Sequence, residues 1–216
     1  MSTNANDKYS ASRLRLAVLG SGNGSNMQAI LEAISNGSLA AEITCVISDV
    51  ADAGILARAK AAGIPQHYIS AEPFRTKLDG EAEKQYLNVL NDYDTELIVL
   101  AGFMRIIKAG MLRAFQHRII NIHPSLLPAF PGLHAWRQAL DYGTKITGCT
   151  VHFVDEGTDT GPIIIQRHVP VLDDDTIESL HARIQQQEHI AYPEALRLIS
   201  ENKLRVKNRR VLINNS

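Results

Sequence analysis

Asn121 and His123 stand two residues apart in the run Asn121-Ile122-His123-Pro124-Ser125-Leu126-Leu127-Pro128. Positions i and i+2 of a strand share a face, so an amide and an imidazole point the same way. Pro124 cannot extend an interior ladder, which puts the pair at the end of a strand, where ligands of open α/β sheets bind. Each residue alone has an ordinary structural use, in a turn, a cap or a packed strand end. Asp159, in the run Gly157-Thr158-Asp159-Thr160-Gly161, is by itself a common turn former. Together the three have a chemistry. A carboxylate favours the charged form of a nearby imidazole and fixes its tautomer, while an amide N–H shares the task of holding an oxyanion. Such a trio suits addition to a carbonyl by a nucleophile that arrives with the substrate.

A second candidate lies near the start of the chain, at Gly20-Ser21-Gly22-Asn23-Gly24-Ser25-Asn26. Three glycines spaced by two, between a strand and a helix, let backbone N–H groups at a helix N-terminus approach an anion closely. The alternative use is a tight turn that needs positive φ. Asn23, Ser25 and Asn26 add side-chain donors suited to one phosphate monoester. Ser25 occupies the sixth position, where the dinucleotide fingerprint needs glycine, and no Gly-Lys-Ser/Thr follows, which argues against a nicotinamide dehydrogenase and a Walker-type ATPase.

Other chemistries fit less well. No Gly-x-Ser-x-Gly elbow is present for a serine hydrolase. Eight histidines occur without His-Glu-x-x-His or paired-cysteine spacing, so no metal is expected. With a net charge of −1 and no long run of like charge, nucleic acid and membrane surfaces are not expected partners. Cys45 and Cys149 lie in apolar, strand-like runs and read as small buried hydrophobes. No stretch approaches membrane-spanning length, no signal-peptide core is evident, and a reducing cytoplasm is the expected compartment.

The elements that must hold these residues follow from periodicity. At 216 residues and 45% hydrophobic content the chain can bury a sizeable core without disulfides or metal. Residues 1–12 read as a disordered tail, and 13–216 as a single domain. Strands are expected at Leu14–Leu19, Ile43–Ser48, His67–Ile69, Glu96–Ala101 and Ile119–Ile122. Helices are expected at Met27–Ile34, Leu56–Ala62 and Met111–Phe115, with a charged helical stretch over Phe74–Leu90. That alternation predicts a doubly wound, mostly parallel α/β sheet with a Rossmann-like N-terminal half. Beyond a helix at Trp136–Tyr142, Thr147–Val154 and Ile163–Val169 read as an antiparallel strand pair. Thr176–Ile199 reads as a long amphipathic helix, and Arg205–Ile213 as an edge strand or a partly disordered tail.

From about Leu14 to Ile199 the chain closely resembles the phosphoribosylglycinamide formyltransferases of purine biosynthesis. The resemblance rests on Gly22 through Asn26, Ala101-Gly102-Phe103-Met104-Arg105-Ile106, Asn121 through Pro128, Pro131-Gly132-Leu133-His134, and Gly148 through Gly161, in that order. It implies transfer of the formyl group of 10-formyltetrahydrofolate to the amine of glycinamide ribonucleotide, N1-(5-phospho-D-ribosyl)glycinamide, with folate in a cleft between the parallel and antiparallel parts. By the same resemblance Asn121, His123 and Asp159 are the catalytic trio. Gly22, Asn23, Gly24, Ser25 and Asn26 are the phosphate cradle, with Gly102 and Met104 also on the ribonucleotide side and Glu188 receiving its amino end. Arg105, Ile106, Ile107, Val154 and Asp155, with Asp159, meet the folate. Lys77, or failing it Arg75, stands where the family often carries an arginine for the phosphate. A monomer or a homodimer would fit. Methionyl-tRNA formyltransferases and formyltetrahydrofolate deformylases share the Asn-x-His arrangement, but each carries a further domain for which this chain is not expected to have room. A non-catalytic nucleotide or folate binder and a short-chain dehydrogenase-like reductase are the competing classes.

Overall fold

The computed structural model describes residues 13–214, so the expected tail at 1–12 lies outside the described residues. The chain opens with β1 (Leu14–Leu19), α1 (Ser25–Ser35), β2 (Ala41–Ser48), α2 (Gly54–Ala61), β3 (Gln66–Tyr68) and β4 (Lys77–Leu78). It continues through α3 (Gly80–Asp92), β5 (Leu97–Leu100), β6 (Ile106–Ile107), α4 (Ala109–Ala114), β7 (Ile119–His123) and α5 (Ala135–Tyr142). The last elements are β8 (Ile146–Phe153), β9 (Ile163–Pro170), α6 (Ile177–Ser200), β10 (Leu204–Lys207) and β11 (Arg210–Ile213).

One sheet of nine strands runs in the order β10-β11-β9-β8-β7-β5-β1-β2-β3. From β3 to β7 every pairing is parallel, and β7-β8-β9 is antiparallel. The doubly wound, mostly parallel sheet with an antiparallel pair is therefore as the alternation of elements predicted. β1 shows why two layers cover it. Leu16 and Val18 face a cluster with Met27, Ile30, Ile55 and the α6 residues Leu180 and Ile184. Ala17 and Leu19 face the opposite cluster with Tyr86, Leu90 and Met111 from α3 and α4. Each large aliphatic side chain buried this way contributes roughly 1.5–3 kcal/mol relative to exposure.

Two stretches differ from the sequence reading. The helical pattern assigned to Phe74–Leu90 starts only at Gly80, where the Asp79 side chain accepts from the Gly80 N–H. The preceding residues instead form β4, which pairs in parallel with β6 in a separate two-stranded sheet. Two-residue strands are too short to leave a periodic signature. The tail beyond α6 is a hairpin, with β10 antiparallel to β11 and Arg210 of β11 bridged to Ile163 of β9.

α6 ties the layers to the strand ends. Its start is fixed by a capping box between Thr176 and Ser179. Pro193 removes one ladder bond from its interior. The helix continues because Ala191, Tyr192, Ala195 and Leu196 are all fully buried around that point. The Tyr192 hydroxyl donates to the Leu100 carbonyl at 2.8 Å and lies 3.1 Å from the Ile120 carbonyl, joining α6 to β5 and β7 just below the candidate site.

Candidate active site at the strand ends

β7 delivers Asn121 and His123, and antiparallel pairing with β8 sets His152 directly opposite Asn121. The loop between β8 and β9 then brings back Asp159, at φ 55, a left-handed conformation that an Asp side chain tolerates. Asp159 is the hub. Its Oδ2 accepts from the Gly132 N–H at 2.8 Å and lies 3.3 Å from His123 Nδ1. Its Oδ1 lies 3.5 Å from Asn121 Nδ2 and 3.7 Å from His152 Nε2. The three residues singled out from the sequence are thus brought together.

His123 is 4% exposed, and its Nε2 sits 2.9 Å from the Phe130 carbonyl. With a carbonyl on one ring nitrogen and a carboxylate on the other, the imidazolium is the form in which both N–H groups find acceptors. His152 is the opposite case. Its Nδ1 is 2.8 Å from the Phe153 carbonyl and must carry the proton, so Nε2 offers a lone pair to the Asn121 amide N–H at 3.4 Å. Burial pushes this ring below the ordinary imidazole range, against the opposing pull of Asp159, and so favours the neutral form that accepts from Asn121. His152, Gly132 and the Phe130 carbonyl were not found in the sequence. For His152 the sequence held no local signal, because its place opposite Asn121 comes from the pairing of β7 with β8.

The glycine loop is built against α2. The Ile55 N–H donates to the Gly22 carbonyl at 2.9 Å, and Arg58 Nε donates to the Asn23 carbonyl at 2.7 Å. Gly24 is left-handed at φ 76 and precedes α1, which has no side-chain cap. Its orphan first-turn N–H groups therefore suit an anion. The Asn26 side chain, expected as a phosphate donor, faces Glu188. Its Nδ2 donates to Glu188 Oε2 at 3.0 Å, and its Oδ1 is buried without a partner. Glu188 is 5% exposed, and burial raises its pKa while the Asn26 bond partly offsets this.

Lys77 is less free than the sequence suggested. Its Nζ is 2.6 Å from Asp79 Oδ2 and lies 4.1 Å over the Phe74 ring, so its charge is already partnered. Gly102 is left-handed, and its carbonyl accepts from the Ser21 N–H. Met104 is 57% exposed and Ile106 42% exposed, whereas Ile107 is buried. The Arg105 guanidinium is turned inward, with Nε 2.7 Å from Asp49 Oδ2 and a further bond to the Arg75 carbonyl. A folate at this segment would meet main chain and aliphatic side chains more readily than that charge. Val154 is half-buried, its N–H bound to the Ile119 carbonyl, and Asp155 folds the loop by accepting from Gly157 N–H and the Thr160 hydroxyl. Among the described residues no group of three or more His, Cys, Asp or Glu could hold a metal ion.

The open α/β sheet thus carries an uncapped glycine loop at one strand end and an Asn-His-Asp cluster at another. The chain belongs to the formyl transferase family, whose sequence model matches residues 14–196. It is 42% identical over 195 residues to the phosphoribosylglycinamide formyltransferase of Haemophilus influenzae, covering 90% of this chain and 91% of that protein. It is 49% identical over 197 residues to the trifunctional purine biosynthetic protein adenosine-3 of Drosophila pseudoobscura pseudoobscura, of which it spans 14% of the length. The crystal structure of glycinamide ribonucleotide transformylase 1 from Symbiobacterium toebii superposes with a TM-score of 0.91 at 47% identity, covering 99% of this chain and 100% of that one.

Proposed function

We propose that this chain transfers the formyl group of 10-formyltetrahydrofolate to the amino group of glycinamide ribonucleotide. The observation that carries the reading is the convergence of Asn121, His123 and Asp159, 38 positions apart at their extremes, around one carboxylate at the end of β7. The family and the structural likeness supply the reaction class. The uncapped start of α1 supplies a phosphate site, and Asn26 Oδ1 with Glu188 supplies acceptors for an amino end.

The chemistry needs no protein nucleophile. An amine with a pKa near 8 is about one-tenth neutral at pH 7 and attacks the formyl carbon itself. The C–N bond forms, the carbonyl π electrons move onto oxygen, and the resulting oxyanion needs donors. Asn121 Nδ2 offers one in place of its long contact to Asp159 Oδ1, and His123 as imidazolium offers a second once its Nε2–H leaves the Phe130 carbonyl. The 129–132 turn therefore shifts when the substrates bind. Collapse returns the electrons to the carbonyl, breaks the bond to the folate nitrogen and delivers a proton to it from the attacking nitrogen, through water or His123. Asp159 keeps His123 charged and aimed. The buried free thiols Cys45 and Cys149, pushed up to about 11 and about 12 by burial, take no part and fit a reducing cytoplasm.

The test mixes protein, 10-formyltetrahydrofolate and the ribonucleotide and follows loss of the formyl group with and without the amine. Amine-dependent loss is expected, and amine-independent loss would mark a deformylase. Asp159→Asn is expected to lower kcat on the order of a hundredfold. Turnover within about threefold of the parent, well under 1 kcal/mol of barrier, would reject the ion-pair role.

A further inference from the structure

Asp49 follows β2 directly and buries its carboxylate to 1% exposure, yet it lies outside the catalytic cluster. A buried carboxylate is costly unless its oxygens are satisfied by hydrogen bonds or charge. Both are. Oδ1 accepts from the Ser21 hydroxyl at 2.5 Å, and Oδ2 accepts from Arg105 Nε at 2.7 Å. The Ser21 oxygen in turn accepts from the Met104 N–H at 3.0 Å, and the Ser21 N–H donates to the Gly102 carbonyl at 3.0 Å. Arg105 extends the ring by donating to the Arg75 carbonyl, next to the strand pairing that sets Lys77 beside Ile106. One carboxylate therefore joins the glycine loop, the 102–107 segment and the 75–78 segment, three pieces distant in sequence that border the proposed ribonucleotide and folate sites.

We propose that Asp49 is a positioning residue for formyl-donor binding: through Arg105 and Ser21 it holds the main chain of 104–107 at a fixed distance from the glycine loop. This rests on the formyltransferase reading, in which Arg105, Ile106 and Ile107 face the folate. The charge-assisted bond to Arg105 is the strong member, because a guanidinium that is 22% exposed keeps a defined direction only while a buried acceptor holds it. Without Asp49, Arg105 turns to solvent, Ser21 loses the acceptor that aims its oxygen at the Met104 N–H, and the exposed Met104–Ile106 stretch loosens. The glycine loop from Gly22 onward keeps its own bonds to Ile55 and Arg58, so the ribonucleotide side, which Met104 also borders, is disturbed less than the folate side.

Steady-state kinetics with both substrates, read beside amide exchange of peptides from 103–108, tests this. Asp49→Ala is expected to raise the KM for 10-formyltetrahydrofolate about tenfold with the ribonucleotide KM within about threefold, the size of one lost charge-assisted bond. It should also speed exchange across 103–108. Asp49→Asn should restore both readouts in part, because the amide oxygen can accept from Arg105, without the charge, while its N–H donates to the Ser21 oxygen. Arg105→Met should reproduce the alanine phenotype from the other end of the bond, which keeps the test decisive if Asp49→Ala does not fold. Folate KM and exchange both unchanged in Asp49→Ala, both KM values rising alike, or no recovery in Asp49→Asn would each overturn the proposal. Exchange and equilibrium binding of tetrahydrofolate need no turnover. A parent chain that transfers no formyl group would thus reject the function while these readouts still judge Asp49.

Discussion

The two ends of the site are made in different ways. The glycine loop is one contiguous segment whose useful groups are main-chain N–H donors at the start of α1, and its shape is set locally by Gly24 and by bonds to α2. The proposed catalytic cluster is assembled from β7, β8, the turn at Gly132 and the loop at Asp159, and its useful groups are side chains aligned by strand register. A contiguous main-chain site tolerates changes of side chain but not of backbone conformation. An assembled site depends on the distance between elements, so a displacement of the loop that carries Asp159 should cost catalysis more than binding.

Gly161 offers the sharpest way to break the assembled end. A Cβ at this position would fall inside van der Waals contact of the Phe153 carbonyl oxygen, with the Phe153 carbonyl carbon only 2.8 Å away. Main chain cannot yield as a flexible side chain does, so the 155–161 loop must move outward and take Asp159 with it. Gly161→Ala is expected to lower kcat on the order of a hundredfold, the usual consequence of a misplacement near 1 Å. The ribonucleotide KM should stay within about threefold. A comparable rise in that KM would mean that the two ends are not independent.

The complementary break is Gly24→Ala. Here φ is 76, and a Cβ would lie 2.9 Å from the Ile55 Cα, so both the conformation and the space exclude a side chain. The expected cost is of order 1–3 kcal/mol in stability, read by denaturant unfolding. The KM for the ribonucleotide should rise about tenfold, with kcat at saturation changed less than by Gly161→Ala. Equal loss of kcat in both variants would erase the distinction between the two ends.

The same contrast explains how legible each part was. The parallel strands, the glycine loop and the Asn-x-His run are local patterns, and each emerged at nearly its observed position. β1 was placed at Leu14–Leu19, as found. His152 was missed because its role comes from lying across from Asn121, a relation between strands that no window of sequence contains. Asp49 was missed for the same reason, since its partners Ser21 and Arg105 are brought to it by the fold. Lys77 shows the converse: its position in the sequence does not reveal that the short strand β4 sets it within reach of Asp79, a partner that a bound phosphate would have to share.

Glu188 gives the smallest effect and ties the two ends together, because Asn26 from the anion loop holds it while its own helix backs the catalytic strands. Burial raises its pKa, so the folded state prefers the protonated carboxyl. Its contribution to stability is fully present below the ordinary carboxylate pKa and is lost as pH rises through the raised folded value. Once ionised, the group weakens the fold, and the proposed function gives it the amino end of the ribonucleotide as its partner. Glu188→Gln keeps the shape and removes that cost. Its Tm at pH 7 should rise by roughly 2–4 °C for each kcal/mol relieved, and the parent's decline in Tm over the pH range above the ordinary carboxylate value should flatten. The ribonucleotide KM should rise in the same variant. A Tm that falls, or a pH slope equal to the parent's, would mean that the Asn26 bond already compensates the buried charge, and that this corner is held for stability instead of for the amine.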